Sequence, residues 1–252
     1  MKMAKRIIAL VCALVMILAF AGCGAKGEKK YIIYSDNAFA PFEFLDQESG
    51  KYTGVDMDLL AAIAKDQGIE YEMHNEGFDA SMGAVQAGQA DAMIAGMTIN
   101  DKRKETFDFS EGYFEDGSIL VTAADNAEIT CAEDLAGKLV AAKKGTTSTT
   151  YAESIKDQIG FEITYFEDSP TMYQAVLTGS AAACFEDRSV IGWAIKNDGI
   201  ALKTVGEVVN PGYYGFAVKK GANAELIEKF NKGLENIKAS GEYDQILAKY
   251  GY

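Results

Sequence analysis

Residues Ala84–Gly96 read AVQAGQADAMIAG, and residues Ala175–Asp187 read AVLTGSAAACFED. Laid over one another at a constant offset of 91, the two stretches share Ala, Val, Gly, Ala and Ala. Each runs as the end of a helix, breaks at Gly88 or Gly179, and continues as an apolar run of strand length. The chain therefore builds one helix-to-strand unit twice, and Gly96 and Asp187 become equivalent strand ends.

Outward from the first copy, YIIYS reads as a buried strand, GVDMDLLAAIAKDQG as an amphipathic helix ending on Gly68, and EYEMHN as a strand. Helix DASMGAVQAG and strand ADAMIAG complete the first series. A second series follows, with strands KLVAAKKG, EITYFE and AAACFED and helices TSTTYAESIKDQIG, SPTMYQAVLTG and RSVIGWAIKNDG. This alternation predicts an α/β chain of two similar lobes, each a mostly parallel sheet flanked by helices. Ligands of such sheets sit beyond the carboxyl ends of the strands, so Gly96 and Asp187 look across one cleft if the lobes face each other.

YFEDGSILVTA leaves the first lobe and NPGYYGFAVKKG returns to it, as two strand-like crossings able to hinge. Gly112, Gly117, Gly212 and Gly215 mark bending points or ordinary turns. The tail has helical spacing with a break at Gly241. The expected organisation is lobe one at 31–112 plus 216–252, lobe two at 118–210, and hinge segments at 113–117 and 211–215.

The N-terminus, MKMAKRIIALVCALVMILAFAGCG, is basic and then apolar from Ile7 to Phe20, the size of a signal peptide rather than a membrane span. AGC, Ala21–Cys23, resembles a bacterial lipobox, although Phe20 stands where Leu is usual. The expectation is a signal peptide at 1–22, lipid on Cys23 and a tether at 23–30, with an ordinary secreted protein or uncleaved anchor as the alternative.

The 252 residues carry a formal charge of −13, and removal of Lys2, Lys5 and Arg6 with the signal peptide leaves −16. Such a surface repels phosphate backbones, so no nucleic-acid partner is expected. No metal-ligand spacing or cofactor motif occurs, and His74 is the single histidine. Export permits a disulfide between Cys131 and Cys184, with two buried thiols as the alternative.

Several motifs now fall into order: SDNAFAPFEF (Ser35–Phe44), GVDMDLLAAIAK, AGMTINDKRKETFDFS (Ala95–Ser110), EDLAGKLVAAKKGTTS, CFED and GYYGFAVKKG. Together they resemble the bacterial extracellular solute-binding proteins of polar amino-acid ABC importers, family 3, and most of all the glutamine-binding members. The resemblance covers everything after the tether. It implies a two-lobed periplasmic-binding-protein-like fold of type II, joined by two crossing strands. It also implies a lipid-anchored monomeric receptor that hands an amino acid to a membrane permease. One departure is Ala182, where the family commonly has Asp; its first-lobe counterpart Asp91 keeps the pattern.

A free amino acid presents a carboxylate, an ammonium and a variable side chain, and each buried charge needs a partner. Arg103 offers a planar fork for the carboxylate beside a helix start near Asn100, or else pairs with Asp101 or Glu105 on a solvated face. The resemblance places Arg103 on the family's carboxylate-binding arginine. Asp187, the Gly96 carbonyl and the Thr98 hydroxyl suit the ammonium, although Asp187 and Thr98 also read as helix caps. GTT, Gly145–Thr147, mirrors the first-lobe helix start, so Thr147 is placed on the other side of the carboxylate. Phe39 and Phe78 resemble the family's aromatic walls, ahead of Phe42 and Phe44.

Lys143 and Asp36, from opposite lobes, suit the acceptor and donors of a primary amide and match the side-chain contacts of glutamine-binding members; Lys143 and Lys144 also read as surface lysines and Asp36 as a turn acid. Glu186, if inward, favours arginine or lysine instead. Two further function classes remain: an enzyme resembling periplasmic cyclohexadienyl dehydratases, with Glu186 as proton donor, and a sensory module, expected to be fused to transmembrane or catalytic domains that the sequence to Tyr252 does not carry.

Overall fold

The computed structural model describes residues 29–252. The expected signal peptide, Cys23 and most of the tether lie outside the described residues. Strand β1 (Tyr31–Asp36) opens the fold, with both its apolar and its polar terminal residues buried. A small antiparallel sheet follows, β2 (Ala38–Phe39), β3 (Glu43–Asp46) and β4 (Lys51–Thr53). Helix α1 (Val55–Gln67) then packs on the sheet through Val55, Leu59, Leu60 and Ile63, a face at helical spacing. Its start requires glycine: at Gly54, φ is 133° and a Cβ would lie 2.1 Å from the Phe42 carbonyl oxygen. Gly68, at φ 61°, ends it.

Strand β5 (Tyr71–Glu76), helix α2 (Phe78–Ala87) and strand β6 (Ala92–Met93) complete the first alternation. Strand β6 is shorter than the apolar run suggests. Beyond Ile94 the chain turns away through Gly96, at φ 51°, whose N–H is drawn to Asp56. A one-turn helix α3 (Asp101–Lys104) and strand β7 (Phe107–Phe109) follow. With the returning strand β13 (Ala217–Lys219) they form a sheet ordered β5–β1–β6–β13–β7.

The second sheet repeats the scheme with β9 (Leu139–Lys143), β10 (Glu162–Phe166) and β11 (Ala183–Asp187), separated by α4 (Thr147–Ile159) and α5 (Ser169–Leu177). Helix α6 (Arg188–Asn197) leaves from the end of β11. The crossing strands β8 (Phe114–Ala123) and β12 (Leu202–Tyr214) complete it in the order β10–β9–β11–β8–β12. The strands of the alternation pair in parallel, β1 with β5 and β6, β9 with β10 and β11. The crossing and returning strands add antiparallel neighbours, so each sheet is mixed. A chain that returns beside its own exit strand must pair that way.

The two crossings form one ladder from Leu202 and Ala123 to Tyr214 and Phe114, with register shifts on either side of Val209. None of Gly112, Gly117, Gly212 and Gly215 has positive φ. They are small because neighbours press on them: added Cβ atoms would lie 2.6 Å from Tyr213 Cβ, 2.6 Å from Val208 Cγ1, 2.9 Å from Thr98 Cγ2 and 2.8 Å from Ile99 Cδ1. Helices α7 (Ala224–Ser240) and α8 (Glu242–Lys249), split at Gly241 as the tail predicts, pack back on the first sheet.

Cys131 and Cys184 are free thiols. Cys184 is buried in β11, but Cys131 is exposed at the start of a 3-10 turn (Ala132–Leu135), where Asp134 accepts from its backbone N–H. Neither the disulfide nor the pair of buried thiols is present, because the capping position pulls Cys131 to the surface.

Candidate functional site

The carboxyl ends of β1 and β6 face those of β9 and β11, and the residues there come together. Phe39, Phe78, Gly96, Thr98, Arg103, Lys143, Thr147, Glu186 and Asp187 line one small cavity, and Asp36 bonds to Lys143. Groups from the two sheets meet across it. Thr98 Oγ1 lies 3.3 Å from Thr147 Oγ1. Arg103 donates to the Thr98 carbonyl at 2.7 Å and to the Gly145 carbonyl at 3.0 Å.

Arg103 is 9% exposed and stacks at 5.3 Å from the Phe78 ring centre. Asn100, extended at the start of α3, accepts the Arg103 backbone N–H at 2.8 Å and so fixes the direction of the side chain. The alternative pairing with Asp101 or Glu105 does not occur; Asp101 instead pairs with Lys104. Burial lowers the Arg103 pKa to about 10, with Asp187 opposing the shift, and the guanidinium keeps its charge.

Lys143 is 2% exposed and Asp36 is fully buried, so the surface-lysine and turn-acid readings fall away. Lys143 Nζ donates to Asp36 Oδ2 at 2.5 Å and sits 4.5 Å from the Phe39 ring centre. Burial pushes its pKa down, but Asp36 and then Glu186 outweigh that and hold it above its ordinary value. Lys144 is the exposed neighbour and pairs with Glu167. Asp36 is itself held by the N–H groups of Asn37 and Ala38, at 2.6 and 3.3 Å.

Asp187 stands at the N-cap position of α6 but makes no capping bond. Its oxygens accept instead from Ser148 at 3.0 Å and Tyr214 at 2.6 Å. Glu186 also points inward: Oε1 accepts the Asp187 N–H and Oε2 the Tyr173 hydroxyl, both at 2.9 Å. Burial, then the neighbouring Asp187, raises the Glu186 pKa to about 7. Asp116, on β8, accepts from Ser189 and Tyr214, and burial raises it to about 6. Phe42 is core and Phe44 packs near Trp193, so of the four aromatics only Phe39 and Phe78 reach the cavity.

Sequence reasoning missed Tyr214, Ser148, Asp116 and Asp56. Asp56 was legible: it shares an α1 face with Leu60 and Ile63, where a solvated acid has no place. Gly96 N–H donates to Asp56 at 2.8 Å and Tyr113 hydroxyl at 2.7 Å. Tyr214 and Ser148 carried no local signal, since only the folded ladder brings them to Asp187. Among the described residues no cluster of His, Cys, Asp and Glu could hold a metal ion.

The probable histidine-binding protein of Neisseria gonorrhoeae is 32% identical over 96% of this chain and 93% of its own. An ancestral arginine-binding protein is 37% identical over 88% of this chain; solved with arginine it covers 98% of that chain at a TM-score of 0.82, and with glutamine 97% at 0.81. Substrate-binding domain 2 of Lactococcus lactis GlnP, solved in an open conformation, is 43% identical over 91% of this chain and 98% of its own, with a TM-score of 0.61. The profile of the bacterial extracellular solute-binding proteins, family 3, matches residues 31–252, and the chain belongs to that family of binding proteins rather than enzymes.

Proposed function

We propose that the protein is the amino-acid receptor of an ABC importer and that its preferred ligand is L-glutamine. The observation that carries this reading is the buried pair Lys143–Asp36, whose Lys143 lines the same cavity as Arg103 and Asp187. Arg103 with the α4 start at Thr147 takes the ligand carboxylate. Asp187, Thr98 and the Gly96 carbonyl take the ammonium, and Phe39 and Phe78 enclose the apolar stem.

A primary amide set beside the Lys143–Asp36 pair adds no charge, accepting from Lys143 and donating to Asp36. Glutamate sets a second carboxylate against Asp36 and Glu186. Arginine and lysine bring a cation against Lys143, while apolar side chains leave the pair without a ligand partner. Glu186 supports the arginine alternative, as do the arginine- and histidine-binding relatives. Its bonds to Tyr173 and the Asp187 N–H, and its readiness to hold a proton near neutrality, weaken that support.

The lobes at 31–112 plus 216–252 and 118–210 close on the ligand by bending near 113–117 and 211–215. The two TM-scores support a hinge: the less identical ligand-bound protein superposes better than the more identical open domain. Residues of both sheets reach the ligand only in the shut form, which supplies the differential affinity closure needs. Once the signal peptide is removed, lipid on Cys23 holds this monomeric receptor at the outer face of the membrane, beside its permease.

A thermal-shift screen of the soluble part against the common amino acids tests the reading. A ligand at about 100 times its Kd stabilises by roughly 2.7 kcal/mol. Glutamine is expected to give the largest shift, and a screen without any shift contradicts amino-acid binding.

A further inference from the structure

Beneath Gly96 lies a pair of carboxyl groups that the ligand reading does not use. Glu43 on β3 and Asp56 in the first turn of α1 are both fully buried. Asp56 Oδ2 accepts from Gly96 N–H and Tyr113 hydroxyl, but Asp56 Oδ1 and both oxygens of Glu43 have no donor from the rest of the protein. Two buried carboxylates with three unserved oxygens would each forfeit a desolvation cost of about 1–3 kcal/mol per group and repel one another as well. One proton resolves the conflict. Carried by Glu43, it forms a hydrogen bond to Asp56 and leaves a single carbonyl oxygen without a donor.

We propose that Glu43 is a proton-bearing positioning residue: as a neutral acid it donates to Asp56, and through Asp56 it fixes the Gly96 peptide whose carbonyl faces the ligand ammonium. The placement of the Gly96 carbonyl rests on the proposed ligand reading. The proton on Glu43 does not. The surrounding charges agree. Among the described residues, Asp56 and Asp36 are the anions that act on Glu43, and the cation that acts on it, Lys143, is already bound to Asp36. Burial is the first cause holding Glu43 far above the ordinary carboxylate range, with Asp56 next. Gly96 is closely neighboured there: its φ is 51°, and Phe39 Cε1 lies 2.5 Å from where a Cβ would be.

Glu43→Gln and Glu43→Leu separate a neutral donor from an ionised partner of Lys143. Glutamine keeps the shape and an N–H for Asp56, while leucine keeps only bulk. The expected result is that Glu43→Leu binds L-glutamine at least about ten-fold more weakly, a loss of roughly 1.4 kcal/mol, and that Glu43→Gln recovers most of that loss. Melting curves between pH 5 and 9 supply a reading independent of any ligand. A raised acid takes up a proton on folding, so its stabilisation is lost as pH rises. Wild type is therefore expected to lose stability toward pH 9 more steeply than Glu43→Gln. Equal pH slopes, or binding by Glu43→Gln as weak as by Glu43→Leu, overturn the proposal. Wild-type protein that binds none of L-glutamine, L-arginine and L-histidine contradicts the ligand reading instead, and the pH slopes then decide Glu43.

Discussion

Lys143 Nζ and Asp36 Oδ2 lie 2.5 Å apart although the two residues end strands of different sheets, β9 and β1. This ion pair is buried on both sides and crosses the cleft. Removing one partner of such a pair strands the other charge, at a cost of about 3–5 kcal/mol. Asp36→Asn keeps shape and a hydrogen-bond acceptor, so it is expected to fold but to bind L-glutamine roughly ten- to hundred-fold more weakly. Isothermal titration of the variant checks this, and unchanged affinity would place the amide elsewhere.

Arg103→Lys retains the charge but not the planar fork that serves Thr98 and Gly145. Loss of a desolvated bidentate partner costs roughly 2–5 kcal/mol of binding. Melting temperature without ligand is expected to change far less than affinity. A variant that binds normally but melts early would mark Arg103 as structural.

Gly96→Ala places a Cβ 2.5 Å from Phe39 Cε1 at a φ of 51°. Phe39 must then leave its position over Lys143. The expected outcome is loss of ligand binding together with about 1–2 kcal/mol of stability, measured by titration and chemical denaturation of the same sample. Retained binding would show that Phe39 is no wall of the site.

Glu186 is raised from 4.5 to about 7 by burial and by Asp187. Its contribution to stability is complete below pH 4.5 and is lost as pH rises through about 7. Glu186→Gln is expected to flatten the fall in melting temperature between pH 5 and 8. An unchanged profile would mean that Glu186 is charged throughout.

Trp193 on α6 packs against Phe44 and Tyr250, which belong with the first sheet, at ring-centre distances of 6.1 and 6.2 Å. If the lobes swing apart, this contact breaks. As the one tryptophan of the chain, Trp193 is expected to change its fluorescence on adding L-glutamine. Arg103→Ala, which cannot be pulled shut, should show no change at the same ligand concentration.

Much of this architecture was legible before folding. The offset repeat predicted two equivalent strand ends, and Gly96 and Asp187 do line one cavity. Periodicity also placed the Gly68 and Gly241 breaks. The antiparallel half of each sheet was only partly legible: the crossings were expected as strands that leave and return, but the strand at Leu202–Tyr214 begins well before NPGYYGFAVKKG, and the neighbours each crossing pairs with depend on the return path. Tyr214 shows the same limit at the site: 27 residues separate it from the Asp187 oxygen it serves. Glu43 was passed over in its own motif, where SDNAFAPFEF was weighed only for its aromatics; β3 buries it completely.

The central claim is that a neutral amide side chain is bound by Lys143 and Asp36 together. Isothermal titration of one preparation with L-glutamine, L-glutamate, L-arginine and L-histidine tests it most directly. The account predicts that glutamine binds tightest, with glutamate and arginine each weaker by at least about ten-fold, or 1.4 kcal/mol. Tighter binding of arginine or histidine than of glutamine would contradict it.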